Sequence, residues 1–144
     1  MKLARILSVP VTALALIGAA GTAFAASPLS LAKAHFHDIA AGKVQATIAQ
    51  YGADPVFEWV GGPLDGRYTG KPAIEAVWKK FAHAQGAMKL SVTHMIEAAN
   101  PAGATVTADV KFMGKKTIPV RYVLTYRKGK LVDEIWQIDP KLGK

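Results

Sequence analysis

The spacing of hydrophobic and polar residues predicts helices in the first half of the chain and strands in the second. Apolar residues three or four positions apart predict a helix from Leu29 to Ala41 that ends at Gly42. Residues Val44 to Tyr51 favour a second short helix. A third helix begins near Pro72, where the missing N–H costs nothing, and its apolar stripe consists of Ile74, Val77, Trp78 and Phe81.

Alternation with a period of two predicts the strands. Residues Pro55 to Val60 are rich in β-forming side chains and precede a glycine-rich turn. After Gly86, three apolar faces follow one another, separated by turns that contain glycine, and a last strand spans Leu131 to Ile138. The apolar faces are expected to be Leu90, Val92, His94 and Ile96, then Val106, Ala108, Val110 and Phe112, then Ile118, Val120, Tyr122, Leu124 and Tyr126.

Helices grouped first and an antiparallel meander last are typical of the α+β class. We therefore expect a curved antiparallel sheet that wraps around the long third helix. Such a sheet forms a cone and leaves a cavity at its mouth.

The N-terminal segment differs from the remainder. Lys2 and Arg5 precede an uncharged apolar stretch from Ile6 to Phe24, and small residues at Ala23 and Ala25 follow the pattern of a signal-peptidase site. We expect residues 1–25 to be a cleaved secretory signal peptide and residues 26–144 to form one domain. The short basic start is typical of bacteria, so we expect a periplasmic or secreted protein that leaves the membrane after cleavage.

The amino-acid composition excludes several kinds of functional site. The 144 residues include no Cys, which excludes thiol nucleophiles and zinc–thiolate sites. The net charge is +8, but the basic residues are dispersed, with short clusters only at Lys115-Lys116 and around Lys128. No basic run is interleaved with stacking aromatic residues, so we expect no nucleic-acid partner.

Two motifs carry a resemblance to a known family. The Tyr-x-Ala-Asp-Pro-x-Phe-Glu stretch from Tyr51 to Glu58 and the Tyr-x-Gly-x-x-Ala-Ile stretch from Tyr68 to Ile74 resemble the nuclear transport factor 2-like superfamily, in its SnoaL-like and ketosteroid isomerase-like branch. The resemblance covers nearly all of residues 26–144. It implies a cone-shaped cystatin-like α+β barrel, usually a homodimer, with a pocket between the first helix and the sheet.

The ketosteroid isomerase pattern fails at its central residue. Aligning the motifs places Trp59 where that enzyme has its carboxylate base, Tyr122 at the acidic oxyanion donor and His35 at the phenol donor. An indole cannot accept a proton from carbon, so this reaction has a base only if the strand register slips and Glu58 points inward.

Other polar residues are candidates for the interior. Three lie on elements that should face the cone: His35 and Asp38 on the first helix, and His94 on an otherwise apolar strand face. Tyr122 and Glu134 complete this inward polar set. A buried His beside a carboxylate is a general acid–base pair that works near neutral pH. The candidate catalytic residues are therefore His94, His35, Asp38 and Glu134.

Two functions remain open. The first is a binding protein whose aromatic cone, walled by Phe57, Trp59, Trp78, Tyr122 and Trp136, holds a small apolar or aromatic molecule. The alternative is a SnoaL-like lyase, isomerase or hydrolase with His94 or His35 as base and Asp38 or Glu134 to orient it. No recognised spacing of metal ligands supports a site from His35, His94 and a carboxylate, so we expect no metal and no cofactor.

Overall fold

The computed structural model describes residues 25–144. The predicted signal peptide lies outside the described residues except for Ala25, and it stays a prediction. Three helices, α1 (Pro28–Ala40), α2 (Val44–Ala49) and α3 (Lys71–Gln85), accompany six strands. The strands are β1 (Tyr51–Val60), β2 (Gly66–Thr69), β3 (Lys89–Asn100), β4 (Gly103–Met113), β5 (Thr117–Arg127) and β6 (Lys130–Ile138). Within the described residues, no helix is long and apolar enough to span a membrane.

The six strands form one curved, unclosed sheet in the order β2-β1-β6-β5-β4-β3. Neighbours pair antiparallel except β1 and β6, which run parallel, as the long connection through α3 and the meander allows. The α+β class with a curved sheet is thus confirmed. The sequence pattern does not predict the short strand β2, which pairs with β1 between the glycine-rich turn and the third helix.

The helix boundaries follow local chemistry. The Ser27 hydroxyl oxygen accepts from the Ser30 N–H at 3.2 Å and caps α1, whose last turn is followed by Gly42 at φ +68°. Pro72 lies in the first turn of α3, as expected. The second helix is shorter than predicted, because Tyr51 already belongs to β1 and pairs with Leu131 of β6.

The core lies between the helices and the concave face of the sheet. The predicted stripe of α3 is buried throughout, and so are the predicted inward faces of β4 and, apart from the half-buried Ile118, of β5. On β1, Trp59 points inward and Glu58 points outward, where it accepts a hydrogen bond from Arg67. The register slip that would have brought Glu58 inside does not occur.

Candidate functional site

The aromatic residues expected to wall the cone pack against one another. Trp59 stacks on Trp136 with ring centroids 4.3 Å apart, and Phe57 stacks on Trp78 at 5.0 Å. Tyr122 meets Trp136 edge to face at 5.4 Å. All five are buried and fill the interior of the cone. The interior is therefore largely an aromatic core, which holds the sheet in its curved form.

A polar cluster lies within this core, centred on Glu134. Nε2 of His35 lies 3.0 Å from Oε1 of Glu134 in a hydrogen bond, and both side chains have 0% exposure. The Tyr51 hydroxyl donates to the second oxygen of the same carboxylate. It accepts in turn from Nε1 of Trp78, at 3.0 Å. A buried carboxylate needs such partners, because desolvation strongly disfavours an unpaired charge.

Burial and the carboxylate together raise the pKa of the neighbouring phenols. Desolvation is the larger cause for Tyr51 and Tyr122, and the negative charge of Glu134 adds to it, so both pKa values lie well above the ordinary value. The pKa of Tyr126 is raised for the same two reasons, in the same order. These phenols therefore stay neutral wherever the protein is folded at moderate pH.

Several polar atoms of the interior have no partner among the described residues. They are Nδ1 of His35, the hydroxyl oxygen of Tyr126 and Nε1 of Trp136. The cluster contains groups that are capable of acid–base catalysis, but the side chains of His35 and Glu134 have no solvent exposure.

The structure brings together three of the five expected interior polar residues, namely His35, Tyr122 and Glu134. The placement of His94 in the interior is wrong. Its side chain is 79% exposed on the outer face of the sheet, with Nδ1 3.0 Å from Oδ2 of Asp109. Asp38 is half-buried but bonded elsewhere, since its carboxylate accepts from Nε2 of Gln50 at 3.0 Å.

The cause of the His94 error is a β-bulge. Pairing between β3 and β4 shifts between Thr93 and Ile96, so two residues of β3 oppose one of β4. The extra residue reverses the inside–outside alternation, and Ile96 is 65% exposed as a result. His35 and His94 lie on opposite faces of the sheet, and no metal-binding group of three His, Asp or Glu residues occurs within residues 25–144.

An open cavity of about 440 Å³ lies at the mouth of the cone. We call it the mouth cavity. It is formed by the second half of α3, the loop before β2, the turn between β4 and β5, and the end of β6. Its apolar walls are Trp59, Pro63, Leu64, Phe81, Ala84, Ile118 and Ile138, and its polar residues are Lys80, Gln85, Lys115 and Lys116. Of the five predicted ligand-binding aromatic residues, only Trp59 lines it.

Two contacts fix the shape of the mouth cavity. Nε1 of Trp59 donates to the carbonyl oxygen of Gly61 at 3.0 Å, which holds the indole at the rim. Gln85 ties the β4–β5 turn to α3, since its side-chain oxygen accepts from the Lys116 N–H at 2.9 Å and its carbonyl oxygen from the Lys115 N–H at 3.1 Å. A Cβ at Gly114 would lie 2.6 Å from that carbonyl oxygen, so the close approach requires glycine.

Sequence reasoning missed most of the mouth cavity. The sequence shows Lys115-Lys116 as a short basic cluster after Gly114, but nothing in the local pattern shows which end of the cone this turn reaches. Lys80, one residue before Phe81, was not singled out. These positions come together only in the folded chain, where the end of α3 is tied to the β4–β5 turn through Gln85.

Comparison with known proteins agrees with the fold and the motifs. Residues 32–134 match the SnoaL-like domain family. The chain belongs to this family. The SnoaL-like match covers α1 from Ala32 onward, the two motifs around β1 and β2, and the sheet as far as Glu134. No curated protein matches the sequence.

Solved structures show that the SnoaL-like chain has the NTF2-like, cystatin-like fold. A cystatin-like protein of unknown function from Nostoc punctiforme matches with a TM-score of 0.65 and 15% identity, over 83% of this chain and 98% of its own. An NTF2-like protein of unknown function from Pseudomonas putida has a TM-score of 0.64 and 19% identity, over 79% and 87%. A putative calcium/calmodulin-dependent protein kinase type II association domain from Thiobacillus denitrificans has a TM-score of 0.63 and 17% identity, over 78% and 95%.

Proposed function

We propose that this chain is an exported SnoaL-like protein that binds a small apolar or aromatic molecule in the mouth cavity. One observation carries the proposal. The cavity is open and about 440 Å³ in volume, and its described lining includes seven apolar residues but no His, Asp or Glu. Ligand pockets are typically concave and apolar with a few polar groups, and this one has that character.

The aromatic side chains of the cavity suit such a ligand. Trp59 is pinned by its bond to Gly61 and backed by the stack on Trp136, so the edge it presents is rigid. Phe81 packs edge to face against the same indole, with centroids 5.3 Å apart. A ligand that buries about 150 Å² of apolar surface here would gain roughly 4 kcal/mol. Rigid walls keep the entropy cost of binding low.

The alternative, an acid–base enzyme, has a specific feature in its favour, namely the His35–Glu134 pair. That pair lies away from the mouth cavity. Glu134 precedes Ile138 by four residues on β6, which corresponds to about 13 Å along the strand. The buried Trp136 stands between the two positions. A substrate in the mouth cavity would therefore not meet this pair.

The binding proposal is tested with N-phenyl-1-naphthylamine, a neutral dye that fluoresces when it enters an apolar site. Ala84 is exposed and lines the cavity, so Ala84→Trp should fill the cavity without disturbing the core. We expect the wild type to bind the dye and Ala84→Trp to bind it at least tenfold more weakly, a change of about 1.4 kcal/mol.

His83→Trp is the matched control, because the neighbouring His83 is exposed and does not line the cavity. It should bind the dye as the wild type does. Circular dichroism of all three proteins excludes misfolding as the cause of a difference. A wild type that does not bind the dye, or an Ala84→Trp variant that binds it normally, would contradict the proposal.

Export is proposed from the signal-peptide pattern of residues 1–25. The protein would be periplasmic or secreted and separate from the membrane after cleavage. The intact mass of protein recovered from the periplasm tests this, since cleavage after Ala25 leaves a chain that begins at Ala26. A mass that corresponds to the uncleaved chain would contradict export.

A homodimer is proposed through the outer face of the sheet. That face has the exposed Ile96 and a depression of about 410 Å³ beside Thr107, Arg121 and Val123. The association domain among the similar structures has the same fold. Light scattering should give twice the chain mass, and Ile96→Lys should reduce it to that of one chain. A wild type with the mass of one chain would refute the dimer.

A further inference from the structure

Three lysines surround the mouth cavity. Lys80 lies on α3 beside Phe81, and Lys115 and Lys116 form the β4–β5 turn on the other side. All three are exposed at the rim. The described lining contributes no acidic side chain, so the opening of an apolar cavity has positive charge only.

These charges are not compensated locally. Within residues 25–144, no carboxylate oxygen lies within 4.0 Å of Nζ of Lys80, Lys115 or Lys116. Lys79, next to Lys80 on the same helix, is different, because its Nζ lies 2.6 Å from Oε1 of Glu75. The helix therefore pairs the lysine that points away from the cavity and leaves the one at its rim without a carboxylate.

The turn that contains Lys115 and Lys116 is held in place. Gln85 accepts from both of their backbone N–H groups and is itself buried. Gly114 lets the turn approach the end of α3. The backbone that carries the two charges is thus fixed at the C-terminal end of α3, where the helix dipole favours cations, and both residues line the cavity.

We propose that the mouth cavity selects an amphipathic organic anion, a molecule with one apolar body and one anionic group. The body lies against Trp59, Leu64 and Phe81, and the anionic group lies at the rim among Lys80, Lys115 and Lys116. This inference rests on the proposed binding function and narrows its ligand class. Charge complementarity at the rim gives both attraction and orientation.

The test compares two dyes that differ in one group. 8-Anilinonaphthalene-1-sulfonate is N-phenyl-1-naphthylamine with a sulfonate on the ring system, and both fluoresce in apolar sites. We titrate protein purified from cells that express the full chain. The anion should bind about tenfold more tightly than the neutral dye, and its advantage should shrink at high salt.

Variants that replace lysine with neutral glutamine distinguish an effect of the three rim lysines from an effect of the protein's net charge. The triple variant Lys80→Gln, Lys115→Gln and Lys116→Gln should remove the preference for the anion, a loss of about tenfold, while the neutral dye binds as before. The control variant Lys79→Gln, Lys128→Gln and Lys130→Gln loses the same charge. Two of its positions, Lys128 and Lys130, lie at the β5–β6 hairpin, about 30 Å away at the other end of β5, so it should keep the preference.

The outcomes distinguish the inference from the function it rests on. Equal binding of the two dyes, or equal losses in the two triple variants, would overturn the anion selectivity and leave the apolar site intact. Binding of the anion that survives Ala84→Trp would place it on the surface and also overturn the inference. If neither dye binds the wild type, the proposed function fails as well.

Discussion

At the scale of single residues, the central fact is a carboxylate with no solvent contact. Glu134 has 0% exposure and is held by His35 on one oxygen and Tyr51 on the other. Tyr51 is also the acceptor for Trp78. Removing one member of such a network leaves buried groups unpaired, which costs more than the bond itself contributes.

Tyr51→Phe tests this network. The variant keeps the ring but leaves both Glu134 and the Trp78 N–H without this partner, and we expect it to lose about 2 to 3 kcal/mol of unfolding free energy. Tyr68→Phe is the matched control, because its half-buried hydroxyl donates only to the carbonyl oxygen of Leu64, at 2.7 Å, and should cost about 1 kcal/mol or less. Urea denaturation measures both. Equal losses of unfolding free energy in the two variants would show that the network around Glu134 stabilises the fold no more than the single Tyr68 hydrogen bond does.

The raised phenol pKa values predict sensitivity to alkali. Tyr51, Tyr122 and Tyr126 have pKa values above the ordinary value in the folded protein, because of burial and then of the Glu134 charge. Their contribution to stability is complete below the unfolded pKa of about 10 and is lost as the pH rises above it, since only the unfolded chain then releases these protons.

We expect the unfolding free energy to fall above about pH 10 by up to about 1.4 kcal/mol per pH unit for each phenol. Urea midpoints at pH 9 and pH 11 measure the slope. Tyr126→Phe removes one of the three groups and should give a shallower slope than the wild type, while every other group is common to both proteins. Identical slopes would contradict the assignment of the alkaline loss of stability to the buried tyrosines.

At the scale of elements, the alternation of apolar and polar residues predicts the inward faces of the strands correctly, except where a β-bulge interrupts a strand. The inward faces of β4 and β5 follow the sequence pattern, and so do Trp59 and Glu134. On β3 the bulge reverses the alternation between Thr93 and Ile96, and His94 adopts φ +51° on the outer face. A bulge has no reliable signature in one sequence, so this catalytic candidate could not be placed correctly.

The bulge places residue 94 at a positive φ, which restricts the side chains that this position tolerates. Positive φ is tolerated by Asn and disfavoured by β-branched side chains. Both His94→Val and His94→Asn lose the ring contact with Asp109, so their difference reports the backbone. We expect the Val variant to be less stable by about 1 kcal/mol in urea denaturation. Equal stabilities would mean that the backbone there is not held at positive φ.

Other elements show why parts of the fold were not predicted. Strand β2 has only four residues, so its sequence resembles the glycine-rich turn before it. Tyr51 ends a helical pattern yet pairs with Leu131, because the parallel contact with β6 decides its conformation. The local periodicity of a sequence does not show which strands far apart in the chain will pair. The interior set of His35, Tyr122 and Glu134 was accessible from alternation and from the family motifs, whereas the rim of Lys80, Lys115 and Lys116 was not.

At the scale of the whole molecule, the SnoaL-like fold separates two environments. The interior of the cone is filled by stacked aromatic rings around Glu134, and the mouth is open, apolar and rimmed by lysines. The acid–base groups thus lie in the closed region and the space for a ligand lies in the open one. This separation is the physical reason to favour binding over catalysis.

The most direct measurement of that claim is native mass spectrometry of the protein recovered from the cells that express it, with the bound molecule released and identified. We expect the wild type to retain a small amphipathic molecule, His83→Trp to retain the same one, and Ala84→Trp to be empty. A wild type without any ligand, or an Ala84→Trp variant that keeps it, would contradict binding in the mouth cavity.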